Sequence, residues 1–106
     1  VMYARSFRYK VPSGKAQRCL SIIEEMAARY REIMGSELRR TLLAREEGGT
    51  TLFEETYFFE SWDEWRELME KSKGDGRLSE LWDEFEELLE GGEVFEEEWG
   101  FAQIVC

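Results

Sequence analysis

Between Tyr3 and Val11 apolar and polar side chains alternate, and beyond Pro12-Ser13-Gly14 the apolar positions recur instead at steps of three and four. The hydrophobic period thus changes from that of a strand to that of a helix across one short break. Tyr3, Phe7, Tyr9 and Val11 share one face of the strand, and Ala4, Ser6, Arg8 and Lys10 the other. Cys19, Leu20, Ile23, Met26, Ala27, Tyr30, Ile33 and Met34 form one buried helical stripe, with Ser13 placed to cap the helix and Gly35 to end it.

The same change of period follows again. Leu38 to Glu46 and Thr50 to Glu60 are rich in β-branched, aromatic and aliphatic residues, and Glu47-Gly48-Gly49 between them reads as a tight hairpin turn. Ser61-Trp62-Asp63-Glu64 then fits a capping box, in which the serine hydroxyl and the glutamate carboxylate satisfy each other's backbone amides. The helix it starts carries Trp62, Trp65, Leu68 and Met69 on its stripe. After Gly74-Asp75-Gly76 a further helix shows Leu78, Leu81, Trp82, Phe85, Leu88 and Leu89, and Val94 to Val105 makes a last strand, with Gly100 marking a bulge or a close backbone approach.

The order β-α-β-β-α-α-β predicts an α+β, ferredoxin-like fold. Right-handed crossovers place the first and last strands side by side in a four-stranded antiparallel sheet, with the helices on one face. A chain of 106 residues has room for one such domain, residues 1–106. Tyr3, Phe7, Phe53, Tyr57, Phe58, Phe59, Trp99 and Phe101 are too many aromatics for one covered face and one solvated face. A second copy of the sheet is the simplest cover, so the expected partner is the chain itself, as a homodimer.

Charge and composition remove several classes of function. The net charge of −10, from 24 acidic and 14 basic side chains, repels phosphate backbones and anionic lipid, so neither nucleic acid nor membrane is an expected partner. No apolar run approaches the ~20 residues of a membrane span, and the N-terminus lacks a signal-peptide core, which points to a soluble, cytoplasmic protein. Cys19 and Cys106 have neither the number nor the spacing of a disulfide framework or a zinc site. Histidine is absent, which removes Ser-His-Asp and Cys-His catalysis, histidine-ligated haem and most zinc geometries together. Asparagine is absent too and Glu greatly outnumbers Asp, a lean toward a heat-adapted source. Glu96-Glu97-Glu98 and the acidic face of Asp83, Glu84, Glu86, Glu87 and Glu90 read as solvated surface, so no metal is expected.

Thr56-Tyr57-Phe58-Phe59-Glu60-Ser61-Trp62-Asp63-Glu64-Trp65, an aromatic strand end, a serine cap and an aromatic helix start, resembles the antibiotic-biosynthesis-monooxygenase-like domains of the dimeric α/β-barrel superfamily. The resemblance spans nearly the whole chain and is mostly architectural. It implies sheet-to-sheet pairing and an apolar pocket; members include cofactor-free oxygenases, haem-degrading enzymes and dehydratases, so it does not choose a reaction. Against the haem-degrading members, Phe59 stands where they place a strand tryptophan, Trp82 at their iron-binding histidine and Phe7 at their first-strand asparagine, which disfavours haem. No cofactor is expected.

A pocket between helices and sheet would be lined by Trp62, Trp65, Trp82 and Phe85 above Tyr57 or Phe59, a setting for a small, flat aromatic ligand; the plainer reading is that all are core. Arg5 shares the alternation of Tyr3, Phe7 and Tyr9 and needs a partner: either a ligand carboxylate or enolate, or an ion pair with Glu97, Glu54 or Glu55. Three functions stay open. The first is a cofactor-independent monooxygenase-like enzyme in which Tyr57 and Arg5 steady a deprotonated substrate; the others are a non-catalytic ligand-binding domain and a purely structural dimer.

Overall fold

The computed structural model describes residues 2–35 and 38–100. Strand β1 (Tyr3–Pro12) leads through a 3-10 turn into helix α1 (Ala16–Met34), and β2 (Arg39–Glu47) and β3 (Thr50–Phe59) form a hairpin. Helices α2 (Trp62–Ser72) and α3 (Gly76–Leu88) follow, and β4 (Val94–Gly100) ends the described fold. The four strands lie in the order β2-β3-β1-β4, every neighbouring pair antiparallel. This is the expected ferredoxin-like arrangement; Phe101 and the rest of the last predicted strand lie outside the described residues. No described helix is long and apolar enough to cross a membrane.

Local chemistry explains the joints. The hairpin turns on Gly48 and Gly49, whose φ of 54° and 86° supply the positive values that mirror-image two-residue turns require. Ser61 caps α2 through its hydroxyl, which accepts from the Glu64 amide at 3.3 Å, and Asp75 caps α3 by accepting from the Leu78 amide at 2.9 Å. Ser13 does not cap α1. It lies in the 3-10 turn, two residues before the N-cap residue Lys15, with its hydroxyl 2.9 Å from that of Thr51.

Register decides the faces. Tyr3, Arg5, Phe7, Tyr9 and Val11 stand opposite Phe59, Tyr57, Glu55, Phe53 and Thr51, and all share the side that the helices cover. One core cluster packs Tyr9, Val11 and Phe53 against Cys19, Ile22 and Ile23 of α1 and Leu78, Leu81 and Phe85 of α3; a second packs Tyr3, Tyr57 and Phe59 against Leu38 and Leu68. The covered face therefore takes more of the aromatics than the aromatic count implied, namely Tyr3, Phe7, Phe53, Tyr57 and Phe59. The open face nevertheless keeps Leu43, Phe95 and Trp99 more than half exposed. Leu52 and Phe58 lie half-buried beside them, around a hydrogen-bonded Ser6–Thr56 pair to which the Trp99 indole donates.

Candidate functional site

Strand β3 runs through the middle of the sheet, and its inward positions read Phe53, Glu55, Tyr57, Phe59. A carboxylate in that row is buried by its neighbours, and Glu55 is only 6% exposed. Such a group persists only with partners. Its Oε2 accepts from Arg40 Nη1 at 2.7 Å and from the Tyr57 hydroxyl at 3.0 Å, and its Oε1 accepts a longer bond, 3.3 Å, from the Tyr9 hydroxyl. Arg40 reaches it from β2, where it sits opposite Tyr57, and its second terminal nitrogen pairs with Glu24 of α1.

Every bond that Glu55 makes it accepts, the pattern of an ionised carboxylate. Burial, the largest influence, pushes its pKa up from the ordinary 4.5, and Arg40 and the two hydroxyls oppose that without cancelling it. The Tyr57 hydroxyl is held well above its ordinary value, first by burial and then by the charge of Glu55. Tyr57 accordingly stays a donor at neutral pH, and the Glu55 carboxyl is the group of the pair that burial draws upward from the ordinary carboxylate range.

Glu55 also borders a cavity of about 50 Å³ between the sheet and the helices. Phe7, Tyr9 and Tyr57 lie around it on the sheet side, Ile23 and Met26 line the α1 side, and Val94 belongs to the β4 side. Trp82 and Phe85 of α3 complete the lining, their rings 5.4 Å apart. Trp82 is 41% exposed and so stands at the mouth. A dry cavity of roughly 150 Å³ holds a benzene ring, so this space as it stands is smaller than one ring needs.

Arg5 is placed quite differently. Its guanidinium carbon lies 3.8 Å from the Trp65 ring centroid, Nη1 donates to Glu96 at 3.0 Å, Nη2 to Glu98 at 3.4 Å and Nε to the Tyr3 hydroxyl at 3.0 Å. The partners are thus Glu96 and Glu98, not Glu97, Glu54 or Glu55. In the β4 register the even-numbered residues share the side of Arg5, whereas Glu97 faces away and pairs with Arg8, Glu54 is on the open face, and Glu55 is engaged by Arg40. Tyr3 donates to Glu98 at 2.7 Å, and burial together with that bond pushes its hydroxyl up to about 12.

Of the residues named from the sequence, Tyr57, Trp82 and Phe85 meet at the cavity. Phe59 and Trp65 belong instead to the second cluster under α2, and Trp62 is 47% exposed with the Arg66 guanidinium 5.0 Å from its ring. The centre of the site is Glu55 with Arg40 and Tyr9, whereas the sequence names Glu55 only as one possible partner of Arg5. Its one signal was positional: Glu55 shares the alternation of Phe53, Tyr57 and Phe59, as a lone acid on an apolar face.

The elements and their order define a ferredoxin-like α+β domain with the fold of the antibiotic-biosynthesis-monooxygenase-like proteins. No family model and no curated protein matches the sequence. Among solved structures, a NIPSNAP family protein of unknown function from Agrobacterium tumefaciens superposes with a TM-score of 0.72 at 17% identity, over 98% of this chain and 91% of its own. SnoaB, a cofactor-independent oxygenase from Streptomyces nogalater, gives 0.70 at 14% identity over 98% and 96%. A de novo designed protein, Foldit4, gives 0.67 at 14% identity over 96% and 100%. At such identities the likeness is one of fold, and a fold carried alike by an oxygenase and by a designed chain leaves the chemistry to the site.

Proposed function

We propose that this chain is a cofactor-independent monooxygenase-like enzyme acting on a small phenol. The observation that carries the reading is a single buried acid-base group, Glu55, bordering an otherwise apolar, aromatic-walled cavity. A phenolic hydroxyl set against Glu55 would pass its proton to the carboxylate, leaving an electron-rich phenolate that reacts with dioxygen. One oxygen atom takes the place of the hydrogen on a ring carbon to give a quinone, and the other leaves as water with that hydrogen and the phenolic one. Both electron pairs come from the substrate, so no reductant is needed. Glu55 is the base and Tyr57 positions it; Arg5, tied to Glu96 and Glu98, takes no part.

A second reading, binding without turnover, is favoured by the three donors already on Glu55 and by the small cavity. Oxygen consumption with monocyclic phenols separates the two. Uptake that disappears in Glu55→Gln supports the enzyme, saturable binding without uptake supports the second reading, and neither binding nor uptake overturns both.

The working unit in this proposal is a homodimer. Leu43, Phe95 and Trp99 leave an apolar area on the open face, and a second sheet seated there would cover it. A cytoplasmic setting fits the free thiol of Cys19. Sedimentation of the full chain as a dimer, and of Trp99→Glu as a monomer, is expected; a wild-type monomer would refute the pairing.

A further inference from the structure

Resting on the oxygenase reading above for the identity of the gas, we infer that the cavity between sheet and helices is a site for one small apolar gas molecule, and that in the working protein this molecule is dioxygen. Size makes the first selection. A dry cavity of roughly 150 Å³ holds a six-carbon ring, and this one has about 50 Å³, room for roughly two of those six heavy atoms. Polarity makes the second. A water molecule inside a protein needs about two to four hydrogen-bond partners. The polar groups of this lining are already engaged, since the Tyr9 and Tyr57 hydroxyls both donate to Glu55, which Arg40 also holds, and almost no polar surface is left facing the space.

The rest of the lining is apolar: Ile23 and Met26 of α1, Val94 at the start of β4 and the rings of Phe7 and Phe85. A molecule that fills the space restores dispersion contacts that the lining atoms otherwise lack, and an apolar one leaves water without giving up a hydrogen bond. The polarisable Met26 thioether and the aromatic rings strengthen those contacts. Dioxygen has two heavy atoms, no charge and no hydrogen to donate. Of the two reactants in the oxygenase reading it is the one this space takes as it stands, the phenol ring being too large.

The test is methyl NMR of the intact wild-type protein under xenon pressure and then under dioxygen pressure. Xenon is expected to shift the Ile23, Met26 and Val94 methyl signals in a way that saturates. Dioxygen, which is paramagnetic, is expected to broaden those signals more than the methyls of Leu68, buried in the second cluster, and of Leu43, exposed on the open face. At Ile23 and Met26 both responses should be lost in Val94→Phe, whose larger side chain takes up the space. Responses confined to Leu43, or equal at Leu68 and at the cavity methyls, would overturn the site, and oxygen uptake with phenol would then leave the oxygenase reading standing. Gas responses at the cavity of a protein that consumes no oxygen with any phenol would support the gas site and overturn its assignment to dioxygen. The wild-type comparison decides even if the variant does not fold.

Discussion

Arg5 and Arg40 flank the same residue: each stands directly opposite Tyr57, one from β1 and one from β2, on the helix-covered side of the sheet. Their circumstances differ because their carboxylates differ. Arg5 turns to the edge strand β4, where the side chains of Glu96 and Glu98 are 46% and 60% exposed, and it rests on Trp65. Arg40 turns to Glu55 on a central strand, and both side chains of that pair are under a tenth exposed. The first is a water-screened cluster with its charges satisfied among themselves; the second is a desolvated pair whose carboxylate still borders open space. Position across the sheet, rather than residue type, separates the arginine of a solvent-screened cluster from the one that holds a buried carboxylate.

The contrast is sharpest in stability. Arg40→Met leaves Glu55 buried without its countercharge and is expected to cost about 3–5 kcal/mol, read from urea unfolding; much of the loss should return in the double variant Arg40→Met/Glu55→Leu. A loss under about 1 kcal/mol would place this pair with the surface pairs. Tyr57→Phe removes one bond to a charged acceptor and is expected to cost about 1.5–3 kcal/mol. Arg5→Met should cost about 1 kcal/mol, since exposed pairs and a cation–π contact each contribute that much or less, and the loss should shrink in 1 M salt, which Arg40→Met should not show.

The smallest effect is a slope with pH. Because the folded pKa of Glu55 is raised, its protonated form favours the folded state. Stability from this group is fully present below the ordinary value near 4.5 and is lost as pH rises through the folded value. The wild type should therefore lose stability relative to Glu55→Gln as pH climbs out of the ordinary carboxylate range. A difference independent of pH would contradict the raised value.

What could be read from the sequence was local. The alternation of Tyr3 to Val11, the Gly48-Gly49 turn, the Ser61 cap and the left-handed Gly35 at the end of α1 depend on residues a few positions apart, and each was legible. What escaped depends on pairing. The choice of Glu96 and Glu98 over Glu97 follows from the β4 register, and Ser13 misses the cap because a 3-10 turn delays the start of α1 to Ala16. The depth of Glu55 depends on β3 being central, with Arg40 inserted from β2. Trp62 falls outside the cavity because the start of α2 leaves it beside Arg66 and solvent, a matter of helix placement that its spacing from Trp65 does not encode.

The most direct test of the account is a pH titration of the Glu55 side-chain carbonyl carbon by NMR, assigned by comparison with Glu55→Gln and repeated with phenol present. Two results are expected: a single transition above the ordinary 4.5 in the free protein, and a change in the carbon shift on adding phenol that saturates. An ordinary titration unmoved by phenol would show Glu55 to be a structural ion-pair partner of Arg40 alone.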